Sequence, residues 1–168
     1  AAATFERNFG CAVFDGDIEY GPDYPGADVI IGGPPCQGFS PLGRDRDDLS
    51  RARLNSLWKH YLEAVRTIRP KAFVIENVPE FQRSAQFAEL LELLSADTEL
   101  SAYTVAYGVL NAADYGVPQS RRRGILVAIQ FAFLQSCNRN VATRCQPAVD
   151  YPPSPAFAPR LQLRLAGP

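Results

Sequence analysis

The sequence has no methionine, one histidine and four cysteines among its 168 residues. The cysteines form no C-x-x-C pair, which argues against a disulfide-stapled secreted domain and favours a reducing, intracellular setting. Because Cys11, Cys137 and Cys145 have no partnering histidine, they make a poor zinc site, and we expect no bound metal. No apolar run approaches the ~20 residues that a membrane-spanning helix needs, so we expect no membrane partner.

Charge is distributed unevenly along the chain. Residues 1–120 carry 10 Lys and Arg against 17 Asp and Glu, whereas residues 121–168 carry seven Arg against the single acid Asp150. A basic end of this kind can contact a polyanion. Charge alone supports equally well an Arg-rich tail that has no partner.

Apolar patterns alternate between strand-like and helix-like from residue 28 to about residue 130. Helix-spaced apolar residues predict helices over 54–68 and 87–94. Four apolar runs predict buried strands, at residues 28–31, 72–75, 103–110 and 125–129. This alternation predicts an α/β fold with a mostly parallel sheet, in which the last two strands, having no helix between them, pair antiparallel at one edge. A shorter run, Cys11 to Phe14, predicts one more strand.

The pattern decays after about residue 131. The proline-rich stretch 151–155 and Pro159 cannot build a packed element, so residues 131–168 are predicted to be a Pro/Arg-rich tail or linker with little order. Residues 1–130 are then the folded part. The lack of methionine and the opening Ala1-Ala2-Ala3 suggest a chain cut from a longer protein.

The most informative stretch is 32–40, Gly-Gly-Pro-Pro-Cys-Gln-Gly-Phe-Ser, which follows the first clear strand. Its two prolines fix φ at consecutive positions, so the Cys36 thiol is presented from a stiff backbone. Glu76 ends the next strand, and the carboxyl ends of parallel strands meet at one edge of a sheet. A thiolate can add to an electron-poor double bond, and a protonated carboxyl can neutralise the resulting charge. The arginines at 121–123 suit carbonyl oxygens or phosphates.

Three segments, in this order, resemble the cytosine-5 DNA methyltransferases. Residues 32–40 resemble the nucleophile motif of that family, with Cys36 at the catalytic position, and Glu76-Asn77-Val78 resembles its ENV motif. Gln119, Arg121 and Arg123 match the fixed positions of its Q-x-R-x-R motif. The resemblance covers roughly residues 2–129. It implies a partial Rossmann-like methyltransferase fold, with a partial catalytic domain over residues 1–130.

The resemblance also implies a reaction on a cytosine that is flipped out of double-stranded DNA. Cys36 would attack carbon 6 of the base while Glu76 protonates or hydrogen-bonds ring nitrogen 3. Carbon 5 would then accept a methyl group from S-adenosylmethionine. Arg123 would bind the base carbonyl, and Arg121 would contact phosphate or brace the pocket.

Further positions follow from the same motifs. Asp17 would accept a hydrogen bond from the adenine amino group of the cofactor, and Leu57 would form part of the cofactor wall. The other residues implied are Ile18 and Pro34 at the cofactor, and Gln37, Ser40, Asn77, Val78 and Gln119 at the substrate.

The sequence departs from the family pattern at both flanks. No F-x-G-x-G loop followed by a ribose-binding acid precedes Thr4, and no target-recognition region or C-terminal motif is visible after about residue 130. The chain therefore resembles the central catalytic stretch of an enzyme, and a complementing chain that carries the missing motifs could complete it. An intracellular location is expected, cytoplasmic or nucleoid-associated if the source is bacterial.

Two other functions are compatible with these residues. The chain could be a non-catalytic remnant that binds nucleic acid through its basic end, or a transfer-RNA cytosine-5 methyltransferase that uses the same motifs. Without the surrounding motifs, Cys36 would more often be an inert core cysteine and the arginines at 121–123 an exposed basic turn.

We predict that purified 1–168 binds S-adenosylmethionine more weakly than a methyltransferase that has the glycine loop. That loop seats the methionine part of the cofactor, and the sequence before Thr4 does not contain it. Titration calorimetry measures the affinity, with a loop-containing relative as the reference. Equally tight binding by both proteins would contradict the prediction.

Overall fold

The fold was analysed in a computed structural model that describes residues 2–11, 13–21, 23–35, 48–136 and 164–165. The helices are α1 (Ala2–Phe9), α2 (Asp48–Ile68) and α3 (Ala85–Ala96), and residues 131–136 are also helical. The strands are β1 (Val29–Gly32), β2 (Ala72–Asn77), β3 (Tyr103–Asn111), β4 (Arg122–Gln130) and β5 (Arg164–Leu165). No helix among the described residues is long and apolar enough to span a membrane.

The helices begin and end where local chemistry requires it. Ser84 caps α3, because its side chain accepts a hydrogen bond from the Phe87 N–H at 3.2 Å. Helix α2 ends at Ile68, and Arg69 then adopts the left-handed conformation at φ 52° directly before Pro70. A proline cannot continue a helix, so the chain turns here into β2.

The described strands form one mixed sheet in the order β1-β2-β4-β3-β5. Strands β1 and β2 are parallel and are joined through α2, whereas β4 pairs antiparallel with both β2 and β3. Strands β1, β2 and β3 therefore run in one direction, and β4 runs against them. The predicted α/β class and the antiparallel pairing of the last two long strands are confirmed.

The sheet has more antiparallel pairing than the sequence predicted. Of its described pairs, only β1–β2 is parallel, and β5 also pairs antiparallel, with β3. The reason is the position of β4. The connection after β3 is too short for a helical crossover, so β4 turns back and lies between β2 and β3.

The strand predicted over Cys11 to Phe14 is wrong. The described residues of this run lie in no strand, and Phe14 is 57% exposed. Instead of entering a sheet, the Phe14 ring lies over Gly16, with its Cζ 2.5 Å from the point where a Gly16 Cβ would be. The run is too short to bury its aromatic ring without a neighbouring strand.

Helices α2 and α3 cover one face of the sheet. Residues at alternate positions of β2 and β4 point into this core, as the period of two along a strand requires. The buried cluster comprises Trp58, Tyr61, Leu62, Val65, Phe73, Ile75, Phe81, Phe87, Leu90, Leu94, Leu100, Tyr103, Val105, Leu126 and Ala128. The residues between them in β2 and β4, which point to the opposite face of the sheet, are mostly apolar too. This is typical of strands that are covered on both faces.

Tyr61 of α2 ties the two parallel strands together near their middle. Its hydroxyl lies 3.2 Å from the carbonyl oxygen of Ile30 in β1 and 2.9 Å from that of Val74 in β2, and it donates to these acceptors. Burial raises the pKa of the Tyr61 phenol well above its usual value, so the group stays protonated and remains a donor. The Tyr61 ring occupies the space where a side chain on Gly32 would lie.

We predict that Gly32→Ala destabilises the protein by about 1–3 kcal/mol, the usual cost of an overpacked core. The new methyl group would overlap Cε2 of the Tyr61 ring, which is itself held by its hydrogen bonds. Gly26→Ala is the matched control, because no atom lies within 4 Å of its added Cβ. Urea unfolding measures both free energies, and equal values for the two variants would contradict the prediction.

Candidate active site

Asn77 joins the carboxyl ends of β1 and β2. Its Nδ2 donates to the carbonyl oxygen of Pro34 at 3.1 Å, and its Oδ1 accepts from the Val78 N–H at 2.7 Å. The residue is only 6% exposed, so these hydrogen bonds satisfy an amide that burial would otherwise penalise. Asn77 thus fixes the end of β2 against the segment that leads to residue 36.

Glu76 and Arg123 form an ion pair across β2 and β4. The Arg123 Nε lies 2.8 Å from the Glu76 Oε1, with 28% of the arginine side chain and 42% of the glutamate side chain exposed. In the register of the two strands Glu76 faces Ile125, so Arg123 is its diagonal neighbour on the same face. The ion pair holds the two groups together at one strand end, and their partial exposure leaves them accessible to a ligand.

The backbone after β1 passes close to the Glu76 carboxylate. A Cβ on Gly33 would lie 3.4 Å from the Glu76 Oε2. The glycine therefore allows the carboxylate and the loop entrance to share one small space. The chain reaches this point three residues before Cys36. The predicted residues Cys36, Gln37 and Ser40 lie outside the described part of the chain.

The loop between β3 and β4 is folded rather than extended. Residues Ala112–Tyr115 form a 3-10 helix, and Gly116 ends it at φ 80°, in the left-handed region that favours glycine. The Ala112 N–H donates to the carbonyl oxygen of Arg121 at 2.9 Å and closes the loop. Gln119 and Arg121 lie exposed in this loop. Of the three predicted Q-x-R-x-R residues, Arg123 is the one that the structure pairs with Glu76.

The predicted cofactor residues lie on three separate segments. The exposed Asp17 caps the 3-10 helix Ile18–Tyr20, with its Oδ1 accepting from the Glu19 N–H at 3.1 Å. Ile18, Pro34 and Leu57 are half-buried. An exposed carboxylate beside a half-buried aliphatic side chain, as at Asp17 and Ile18, has the chemistry that suits an adenine ring with its amino group.

Some site features were not visible in the sequence. The structure adds hydrogen bonds from the Asn77 side chain to the Pro34 carbonyl and from the Val78 N–H to Asn77, while the predicted contact of Asn77 and Val78 with the substrate stays a prediction. Tyr61 and Gln82, which hold the strands that carry the site, were not predicted at all. Their contacts join residues far apart in the chain, and no local pattern indicates them. Among the described residues, no group of three or more His, Cys, Asp or Glu side chains could hold a metal ion.

Solved structures define the class of fold. The chain is similar to a protein described as a DNA modification methyltransferase encoded within an E. coli prophage, with 28% identity and a TM-score of 0.60 over 80% of this chain and 38% of that one. The Entamoeba histolytica methyltransferase EhMeth gives a TM-score of 0.54 at 22% identity, over 76% of this chain and 41% of the other. The fold is that of methyltransferases.

Family membership follows from the sequence comparison. The model of the C-5 cytosine-specific DNA methylase family matches residues 1–148, so the chain belongs to that family. It is 47% identical over 102 residues to the type II methyltransferase M.XorII of Xanthomonas oryzae, covering 60% of this chain. It is 36% identical over 134 residues to M.NgoFVII of Neisseria gonorrhoeae, covering 77% of this chain. The matches span only 23% and 35% of the two relatives.

We predict that Asn77→Ala destabilises the protein by about 1–3 kcal/mol, because the hydrogen bonds of the buried Asn77 amide to the Pro34 carbonyl and the Val78 N–H are lost. Asn8→Ala is the control, since Asn8 is exposed on α1. Thermal and urea unfolding of both variants measure the difference. If Asn77→Ala is no more destabilised than Asn8→Ala, the bond to Pro34 does not hold the strand ends.

Proposed function

We propose that this chain carries the cytosine-binding part of a DNA cytosine-5 methyltransferase and takes part in methyl transfer to carbon 5 of cytosine in double-stranded DNA. The observation that supports this most directly is the Glu76–Arg123 pair at 2.8 Å, at the strand end beside Gly33, which precedes Cys36 by three residues. The chain also belongs to the C-5 cytosine-specific DNA methylase family, which supports a role for the pair in binding cytosine.

In the proposed reaction each residue has one task. The Cys36 thiolate adds to carbon 6 of the flipped base, and Glu76 supplies a proton or hydrogen bond to ring nitrogen 3. Arg123 donates to the carbonyl oxygen at position 2, which is the next group along the ring. Once carbon 5 has gained the methyl group, its proton would pass to water, the thiolate would leave carbon 6, and Glu76 would take back the proton shared with ring nitrogen 3.

The Glu76–Arg123 pair suits this division of work. The two side chains lie on one face of the sheet and are held at hydrogen-bond distance, so they can meet two adjacent polar groups of one base edge. Arg123 is further fixed because its Nη1 donates to the carbonyl oxygen of Arg122 at 2.8 Å. An arginine held in this way keeps its planar fork oriented before the base arrives.

S-adenosylmethionine would supply the methyl group when it is bound. Asp17 would accept from the adenine amino group, and Ile18, Pro34 and Leu57 would line the ring, in keeping with their half-buried positions. These residues serve the adenine end. The remaining cofactor contacts would come from segments of the kind that the relatives have beyond the matched 23–35% of their length, supplied in the same protein or by a complementing chain.

The loop with Gln119 and Arg121 would serve the DNA rather than the base. Both side chains are exposed, and Arg122 beside them is exposed too. Exposed guanidinium groups at the mouth of a base pocket can bind phosphates and stabilise the opened duplex. Such contacts are independent of sequence, so the recognised DNA sequence would depend on other segments.

We predict that a DNA duplex containing 5-fluorocytosine forms a covalent adduct with the protein in the presence of S-adenosylmethionine. Fluorine at carbon 5 cannot leave as a proton does, so the bond to Cys36 persists. Denaturing gel electrophoresis and mass spectrometry detect the adduct. Cys36→Ala should abolish it and Glu76→Gln should reduce its rate at least tenfold, in the range that a lost general acid costs.

Cys11→Ala is the matched control, because Cys11 is an exposed free thiol away from the motif. It should leave adduct formation unchanged. A fluorinated transfer-RNA substrate run in parallel separates the two nucleic acids, and a stronger adduct with RNA would redirect the proposal. No adduct with either substrate, from a protein that is folded and supplied with saturating cofactor, would favour a non-catalytic chain.

A further inference from the structure

Gln82 lies across the two strands that follow it in the chain. It sits in the 3-10 helix Phe81–Arg83, directly after the Glu76–Asn77–Val78 segment. Its Nε2 lies 3.0 Å from the carbonyl oxygen of Gly108 in β3 and 3.4 Å from that of Ile125 in β4. A single side-chain amide thus donates to neighbouring strands at one level of the sheet, since Gly108 and Ile125 face each other in the register.

The contact requires a glycine at position 124. A Cβ built on Gly124 would lie 3.0 Å from the Gln82 Nε2 and 3.1–3.2 Å from its Cγ and Cδ. The Gln82 side chain therefore fills the place of the missing side chain. Gly124 is the residue next to Arg123, and it faces Asn77 across the β2–β4 pair.

Arg123 needs support from outside its own strand. It is the second residue of β4, and Arg121 and Arg122 before it are exposed. Strand ends open more readily than strand centres. A partly exposed ion pair such as Glu76–Arg123 contributes too little free energy to hold a strand end closed.

We propose that Gln82 is a positioning residue, which holds the start of β4 against β3 and thereby keeps the Arg123 guanidinium on Glu76. Few contacts separate Gln82 from the Arg123 side chain. Gln82 fixes the carbonyl of Ile125 and packs on Gly124, and these residues set the backbone from which the Arg123 side chain extends. Only its consequence for methyl transfer rests on the proposed function. The geometric claim stands apart from it.

The test is Gln82→Met, which keeps a side chain of similar length and removes the N–H donor. The readout is the exchange of the Arg123 Nε–H with water, followed by nuclear magnetic resonance of the full chain. The Arg123 Nε lies 2.8 Å from the Glu76 Oε1, so opening of the pair exposes this N–H to water, and its exchange reports whether the pair is closed. We expect exchange to become about fivefold faster, the factor that corresponds to the loss of one hydrogen bond.

Gln130→Met is the matched control. Gln130 also uses its Nε2 to bridge backbone and a neighbouring strand, donating to the carbonyl oxygen of Arg69 at 3.2 Å and lying 3.4 Å from the Tyr103 hydroxyl. It sits at the other end of β4. Its loss should lower the melting temperature without changing the exchange of the Arg123 Nε–H. If Gln82 had a purely structural role, Gln82→Met and Gln130→Met would both lower the melting temperature and both leave the exchange of the Arg123 Nε–H unchanged.

Gly124→Ala gives a second test if Gln82→Met folds poorly. The added methyl group displaces the Gln82 amide from the other side, so exchange of the Arg123 Nε–H should again accelerate. The proposal is overturned if both folded variants keep the wild-type exchange rate, or if Gln130→Met accelerates it equally. Slower formation of the 5-fluorocytosine adduct by Gln82→Met would extend the effect to the reaction. If wild-type protein forms no adduct while exchange responds as expected, the proposed function fails and the positioning role stands.

Discussion

The site depends on the side-by-side placement of the ends of two parallel strands. Cys36 and Glu76 are 40 residues apart, and the chain between them forms the long helix α2. A parallel pair requires such a crossover, and it returns the chain so that β1 and β2 end at the same edge of the sheet. Asn77 then fixes the end of β2 to the segment after β1, and Tyr61 ties the two strands further back, both through backbone carbonyls rather than through side chains that could rotate away.

The Glu76–Arg123 pair shows how a structural contact can become a functional one. With no base present, each group satisfies the other at 2.8 Å. In the proposed reaction a bound cytosine would separate the two side chains. Arg123 would then bind the base carbonyl instead of the Glu76 carboxylate, and Glu76 would bind the ring nitrogen instead of the Arg123 guanidinium. Each charged group then exchanges one partner for another, so neither is left unpaired when the base displaces water from the site.

Much of this arrangement could be predicted from short-range patterns. Runs of β-branched and aromatic residues such as Ala72 to Ile75 indicated the strands, and the apolar stripe of α2 indicated a helix that ends before Pro70. The Q-x-R-x-R motif singled out Arg123, and the structure pairs this residue with Glu76. The position of β4 between β2 and β3 was not predictable in this way, because strand order is set by long-range pairing. For the same reason, nothing in the sequence assigned Gln82 to Gly108 or Asn77 to Pro34.

Strand β1 has one further consequence, for behaviour in solution. It lies at one edge of the described sheet, and its Val29 and Ile31 are 52% and 75% exposed. An open edge with apolar side chains is a template on which another extended chain can assemble, and it promotes aggregation. Pro34 and Pro35 lack the N–H that such pairing needs, so they confine it to the four residues of the strand. The prolines that stiffen the backbone before Cys36 thus also limit pairing of β1 with other chains. Presentation of the thiol and resistance to aggregation therefore both favour proline at these two positions.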